Sequence, residues 1–96
     1  MSKFRKLARD RGCQIRLPGI CNGDPATTVL AHLRLAGYCG TSLKPDDVAF
    51  GAWACARCHD AVDGRLRTQF SHDELQHAHA LGVCRTVAQL RKEGVL

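Results

Sequence analysis

Residues 49–64 read AFGAWACARCHDAVDG, and how this stretch is parsed decides the rest of the chain. Ala49–Ala54 is short and apolar, the pattern of a buried strand, and it delivers the chain into Cys55. Cys55-Ala-Arg-Cys58 then sets two thiols three residues apart where a strand gives way to a helix. At that spacing both can bind one tetrahedral ion. From Ala56 a short helix is predicted to about Asp63, with Gly64 as its natural stop. His59 and Asp63 are four apart on it and share a face, so an imidazole and a carboxylate can chelate a second ion with positions left for water and a phosphate oxygen.

Upstream, Thr27-Thr-Val-Leu-Ala-His-Leu33 is rich in β-branched and apolar residues and predicts the partner strand, with His32 near its end. An imidazole there suits a general base, because it exchanges protons near neutrality. A lone strand histidine is more often a core-edge residue; the combination with a second strand and a Cys-x-x-Cys-His helix favours chemistry. Cys13-Gln-Ile-Arg-Leu-Pro-Gly-Ile-Cys21 alternates polar and apolar residues and then turns at Pro18-Gly19, which predicts a strand entering a tight loop. Residues 36–47 (AGYCGTSLKPDD) have no helical period and read as a loop. Residues 3–9 read as a short basic helix or a frayed end.

Downstream, Ser71-His-Asp-Glu74 has capping-box spacing, and Asp73 and Glu74 suit the positive end of a helix dipole. Leu75, Ala78, Gly82, Val83, Val87 and Leu90 then approximate one apolar face, with Lys92 and Gly94 closing the far end. This predicts one long helix, kinked or divided at Gly82. His72, His77 and His79 are assigned to its solvated face.

The chain has 96 residues, enough for one small domain, and few aromatic residues to fill it, so a core this thin calls for a staple. Six cysteines can supply one. The N-terminus MSKFRKLARDRG has no apolar signal core, and no stretch approaches the roughly 20 apolar residues that span a bilayer. The expectation is a cytoplasmic protein, where thiols stay reduced and clusters hold metal rather than pair. Cys13 and Cys21 are the simplest complement to Cys55 and Cys58, giving a closed four-cysteine site that holds zinc for structure and not for chemistry. Cys39 is an alternative ligand. Cys39 and Cys84 otherwise read as small buried hydrophobes.

The formal net charge is +5, and Lys3, Arg5, Lys6, Arg9, Arg11 and Arg16 crowd the first 23 residues with Asp10 as the only acid. Such an arm suits a polyanion.

The order of elements resembles the ββα-metal (HNH, or His-Me finger) nucleases, particularly the zinc-stapled ones. More closely, CQIRLPGICNG, AHLRLAGYCGTSLKPDD and ACARCHDAVDGR resemble the small phage and prophage nucleases of the YbcO type, over most of the chain from Cys13 onward. The resemblance implies an α+β fold: a zinc-stapled ββα-metal finger followed by a C-terminal helix or kinked helix pair. It implies one HNH-like domain over 1–96, with a basic arm at 1–12, a zinc-bound core at 13–64 and a helical part at 71–93. It also implies an endonuclease acting on DNA in the cytoplasm of a bacterial host, phage or prophage encoded. His32 would be the base, and His59 and Asp63 would hold Mg²⁺ or another divalent ion. Arg34 or Arg65 would steady the scissile phosphate, with Lys3, Arg5 and Lys6 on the nucleic acid. The chain departs from the family pattern at Ala31, where many members place another metal ligand just before the base. The middle Asn has no clear counterpart either, and Asp46 or Asp47 is the candidate substitute. The competing reading is a noncatalytic zinc-finger module that binds DNA or a phage protein.

Overall fold

The computed structural model describes residues 2–35 and 45–96. Cys39 and most of the predicted 36–47 loop lie outside the described residues.

Two four-residue strands, β1 (Val29–His32) and β2 (Gly51–Ala54), pair antiparallel with Val29 opposite Ala54 and His32 opposite Gly51. A short helix α1 (Lys3–Leu7) precedes them. Helix α2 (Ala56–Val62) leaves β2 directly, and α3 (His72–Lys92) closes the chain. The result is a small α+β domain: a two-stranded antiparallel sheet, a short helix and a long C-terminal helix.

All four residues of β2 are buried, because α3 lies across it. Gly82 makes that approach possible. A Cβ there would stand 2.9 Å from Ile15 Cγ1 and 3.3 Å from both Ala52 Cβ and the Gln14 carbonyl oxygen. Gly82 is therefore a packing residue inside one continuous helix and divides nothing. One turn on, the Thr86 hydroxyl accepts from the Trp53 amide at 3.0 Å and donates to the Gly82 carbonyl at 2.8 Å, which ties β2 to α3. The capping box at Ser71 and Glu74 is present in both directions.

Three local expectations give way to tertiary packing. Cys13–Cys21 is not a strand: Arg16 takes a left-handed φ of 57°, and residues 18–20 form a turn. The segment folds back on itself and drops Ile15, Leu17 and Ile20 into the core. Thr27 belongs to a 3₁₀ turn, Pro25–Thr27, capped by the Asp24 side chain, so β1 starts two residues late. Cys84 is exposed on the outer face of α3 and is no buried hydrophobe.

The arm is anchored rather than frayed. Ala8 is fully buried with Trp53 and Leu90, and Phe4 and Leu7 pack beside them. Arg11 makes a two-pronged ion pair with Glu93 and sits 4.8 Å from the centre of the Trp53 ring. Chain start and chain end are thereby joined.

Candidate metal centre and active-site cleft

Sequence places Cys55 at the end of β2 and Cys58 in the first turn of α2, where the Cys55 sulfur caps the helix by accepting from the Cys58 amide at 3.4 Å. The folded-back loop brings Cys13 and Cys21 to meet them. The four sulfurs all lie within 4.8 Å of one another, with Cys21 and Cys55 3.9 Å apart. A tetrahedral zinc with Zn–S bonds of about 2.3 Å holds its sulfurs about 3.8 Å apart. Disulfides would need pairs at about 2 Å. The cluster is compatible with a structural zinc.

Crowding makes these thiols share charge unequally. A hydrogen bond from the Cys58 thiol holds Cys13 down at about 4, and the same bond, together with burial, pushes Cys58 up. Burial also raises Cys21. A dication is the species that would make all four thiolates compatible.

A cleft of about 650 Å³ is lined by His32, His59 and Asp63, among others. The i,i+4 pair on α2 is formed: His59 Nε2 lies 3.1 Å from Asp63 Oδ2. His32 faces the same cleft from β1 but does not complete a three-ligand group with them; among the described residues, the cysteines are the one such group.

The partner of His32 is Asp47, whose Oδ1 is 2.6 Å from His32 Nε2. Asp47 also accepts from the Ser2 hydroxyl and lies 3.9 Å from Arg5. These contacts, Ser2 foremost, hold its carboxyl below the ordinary value. An ionised Asp47 accepts only, so His32 Nε2 is the donor in this contact. Of the two aspartates left open by sequence, Asp46 instead caps the Val48 and Ala49 amides.

Of the expected nucleic-acid residues, Arg5 and Arg34 line the cleft. Lys3 and Lys6 are exposed on α1. Arg65 is paired with Asp60 at 3.0 Å and with Asp63 at 3.2 Å, so it neutralises the carboxylate beside His59.

His79 corrects the solvated-face expectation. It is 4% exposed, and its Nε2 lies 3.0 Å from the Ala31 carbonyl oxygen, on the strand that carries His32. Burial holds its pKa below the ordinary value. The signal was available: His79 follows Leu75 by four and precedes Gly82 and Val83 by three and four, inside the apolar stripe. His72 and His77 are exposed as expected.

No helix among the described residues is long and apolar enough to cross a membrane. Comparison with known proteins agrees over nearly the whole chain. A family model described as "Putative nuclease YbcO" matches residues 2–95. The chain is 48% identical over 97 residues to "Putative nuclease YbcO" of Escherichia coli (strain K12), an alignment covering 100% of this chain and 98% of that one. It is equally similar, with the same coverage, to "Putative nuclease ybcO" of Enterobacteria phage 82. A solved structure described as "Structure of a putative bacteriophage protein from Escherichia coli str. K-12 substr. MG1655" superposes with a TM-score of 0.80. It is 40% identical, with 96% of this chain and 100% of that chain covered.

Proposed function

The chain belongs to the YbcO family, and from that premise we propose that it is an HNH-type endonuclease hydrolysing phosphodiester bonds in DNA, with one structural zinc and one catalytic divalent ion. The observation that carries this reading is the shared cleft: a strand histidine oriented by a carboxylate faces an imidazole–carboxylate pair on the helix that follows the second strand.

Cys13, Cys21, Cys55 and Cys58 hold zinc and so pin the start of α2, which sets where His59 and Asp63 stand relative to β1. His59 and Asp63 hold the second ion. Mg²⁺ or a similar ion bound there would supply positive charge to a phosphate under attack. Asp47 keeps the His32 ring in one tautomer, with Nδ1 free to take a proton from water. The water oxygen then bonds to phosphorus as the opposite P–O bond breaks, and the leaving oxygen departs with its electron pair. Arg34 and Arg5 contact phosphate in the cleft, while Lys3 and Lys6 extend the positive surface along α1. Arg65 serves the site through Asp63. The whole chain acts as a single nuclease domain in the cytoplasm of a bacterial host.

A noncatalytic DNA-binding finger would keep the cysteines but has no use for the Asp47–His32 bond. Supercoiled plasmid incubated with Mg²⁺, with Mn²⁺ or with chelator separates the two. Metal-dependent nicking by the wild type and none by His32→Ala, with both proteins binding DNA alike, is the expected result. Absence of nicking by the wild type with every metal would sink the enzyme reading.

A further inference from the structure

The stretch Asp60-Ala-Val-Asp63-Gly-Arg65 ends α2 by turning a cation back on the helix. Asp60 and Asp63 are three apart and share a face. Gly64 takes a left-handed φ of 79° and reverses the chain, and the Arg65 and Leu66 amides both donate to the Asp60 carbonyl oxygen, at 2.9 and 3.1 Å. The Arg65 side chain is thereby laid against both aspartates. Its Nε and Nη2 reach Asp60 Oδ1 at 3.1 and 3.0 Å, and the same Nη2 stands 3.2 Å from Asp63 Oδ2.

Asp63 Oδ2 is also the oxygen that meets His59 Nε2, at 3.1 Å. Neighbouring ligands of an octahedral ion with bonds of about 2.1 Å stand about 2.9 Å apart, so these two atoms are already near the separation an ion needs. What opposes an ion there is charge. His59 can lose a proton and become a ligand, whereas the guanidinium keeps its charge at any ordinary pH. The two partners of the Arg65–Asp63 pair are unequally held: the Asp63 side chain is 13% exposed and that of Arg65 is 58% exposed. The carboxylate is therefore fixed, and the guanidinium is the member free to withdraw, with Asp60 to receive it.

We infer that Arg65 is a counter-cation built into the divalent-ion site: it shares the Asp63 oxygen that the ion needs and so weakens the grip on that ion. This rests on the reading of His59 and Asp63 as ligands and goes beyond it by assigning what sets the ion affinity. The free concentration of divalent ion at which the protein becomes active is then set by an arginine that need not touch substrate.

Mn²⁺ titrated into the zinc-loaded full chain, read by loss of the free-ion electron paramagnetic resonance signal, measures affinity without turnover. Arg65→Gln removes the charge and keeps an amide donor. It is expected to bind Mn²⁺ about five- to tenfold more tightly than the wild type at low salt. The gain shrinks as salt rises, because an exposed charge is screened. Arg65→Lys keeps the charge and stays within about twofold of the wild type, while Asp63→Asn abolishes binding. Equal or weaker binding by Arg65→Gln overturns the proposal and leaves Arg65 as a residue that orients Asp63. A gain as large in Arg65→Lys also overturns it, by tracing the effect to shape. If neither wild type nor Arg65→Gln binds Mn²⁺, or if binding survives Asp63→Asn, the ligand reading fails and takes the proposal with it. Binding by both with equal affinity leaves that reading standing and strikes only the role of Arg65.

Discussion

Gly51 stands opposite His32 in the antiparallel register, and the Asp47 backbone occupies the space that a Cβ on Gly51 would need. That close approach brings the Asp47 carboxylate to His32 Nε2. A missing side chain on one strand therefore sets the hydrogen bond of the imidazole on the other.

Asp47→Ala removes the group that fixes the His32 tautomer. Turnover on plasmid is expected to fall about a hundredfold or more, the usual reach of an oriented general base, with DNA affinity little changed. Gly51→Ala should reproduce part of that loss by displacing the Asp47 backbone. Steady-state nicking beside circular dichroism checks both, and full activity in Asp47→Ala would remove Asp47 from the site.

Elemental analysis should find one zinc per chain. Structural zinc contributes on the order of 10 kcal/mol in small domains, comparable with the whole stability of a typical one, about 5–15 kcal/mol. Cys58→Ser, or prolonged chelation, is therefore expected to abolish the cooperative thermal transition. A chelated protein that melts as the wild type does would show that the cluster is no staple.

His79 is held below its ordinary value by burial, so the folded state prefers it neutral while the unfolded chain protonates near 6.5. Its contribution is present above that pH and is lost as pH falls towards the folded value. Asp63, His59 and His32 face it and modulate the shift. Urea midpoints measured between pH 7.5 and 5 should fall for the wild type and fall less for His79→Gln. Equal slopes would place the acid sensitivity elsewhere.

Gly82→Ala trades helix propensity against space. The gain is about 1 kcal/mol, and the clash with Ile15 and the Gln14 carbonyl costs about 1–3 kcal/mol. A net drop in denaturant midpoint is expected. A rise would mean that the 13–21 loop yields easily.

What the sequence determined by itself is local and periodic: the strand that runs into Cys55, the helix carrying His59 and Asp63 on one face, the Ser71–Glu74 capping box and the apolar stripe after it. Each follows from residue spacing along a single element, where 2.0- and 3.6-residue periods suffice. The tertiary structure alone decided that Asp47 and not Asp46 meets His32, that Cys84 is exposed, and that Cys13–Cys21 folds back instead of extending. Those outcomes depend on how closely α3 and the Asp47 segment approach the sheet over Gly82 and Gly51, contacts between residues distant in the chain whose geometry no periodicity within one segment encodes.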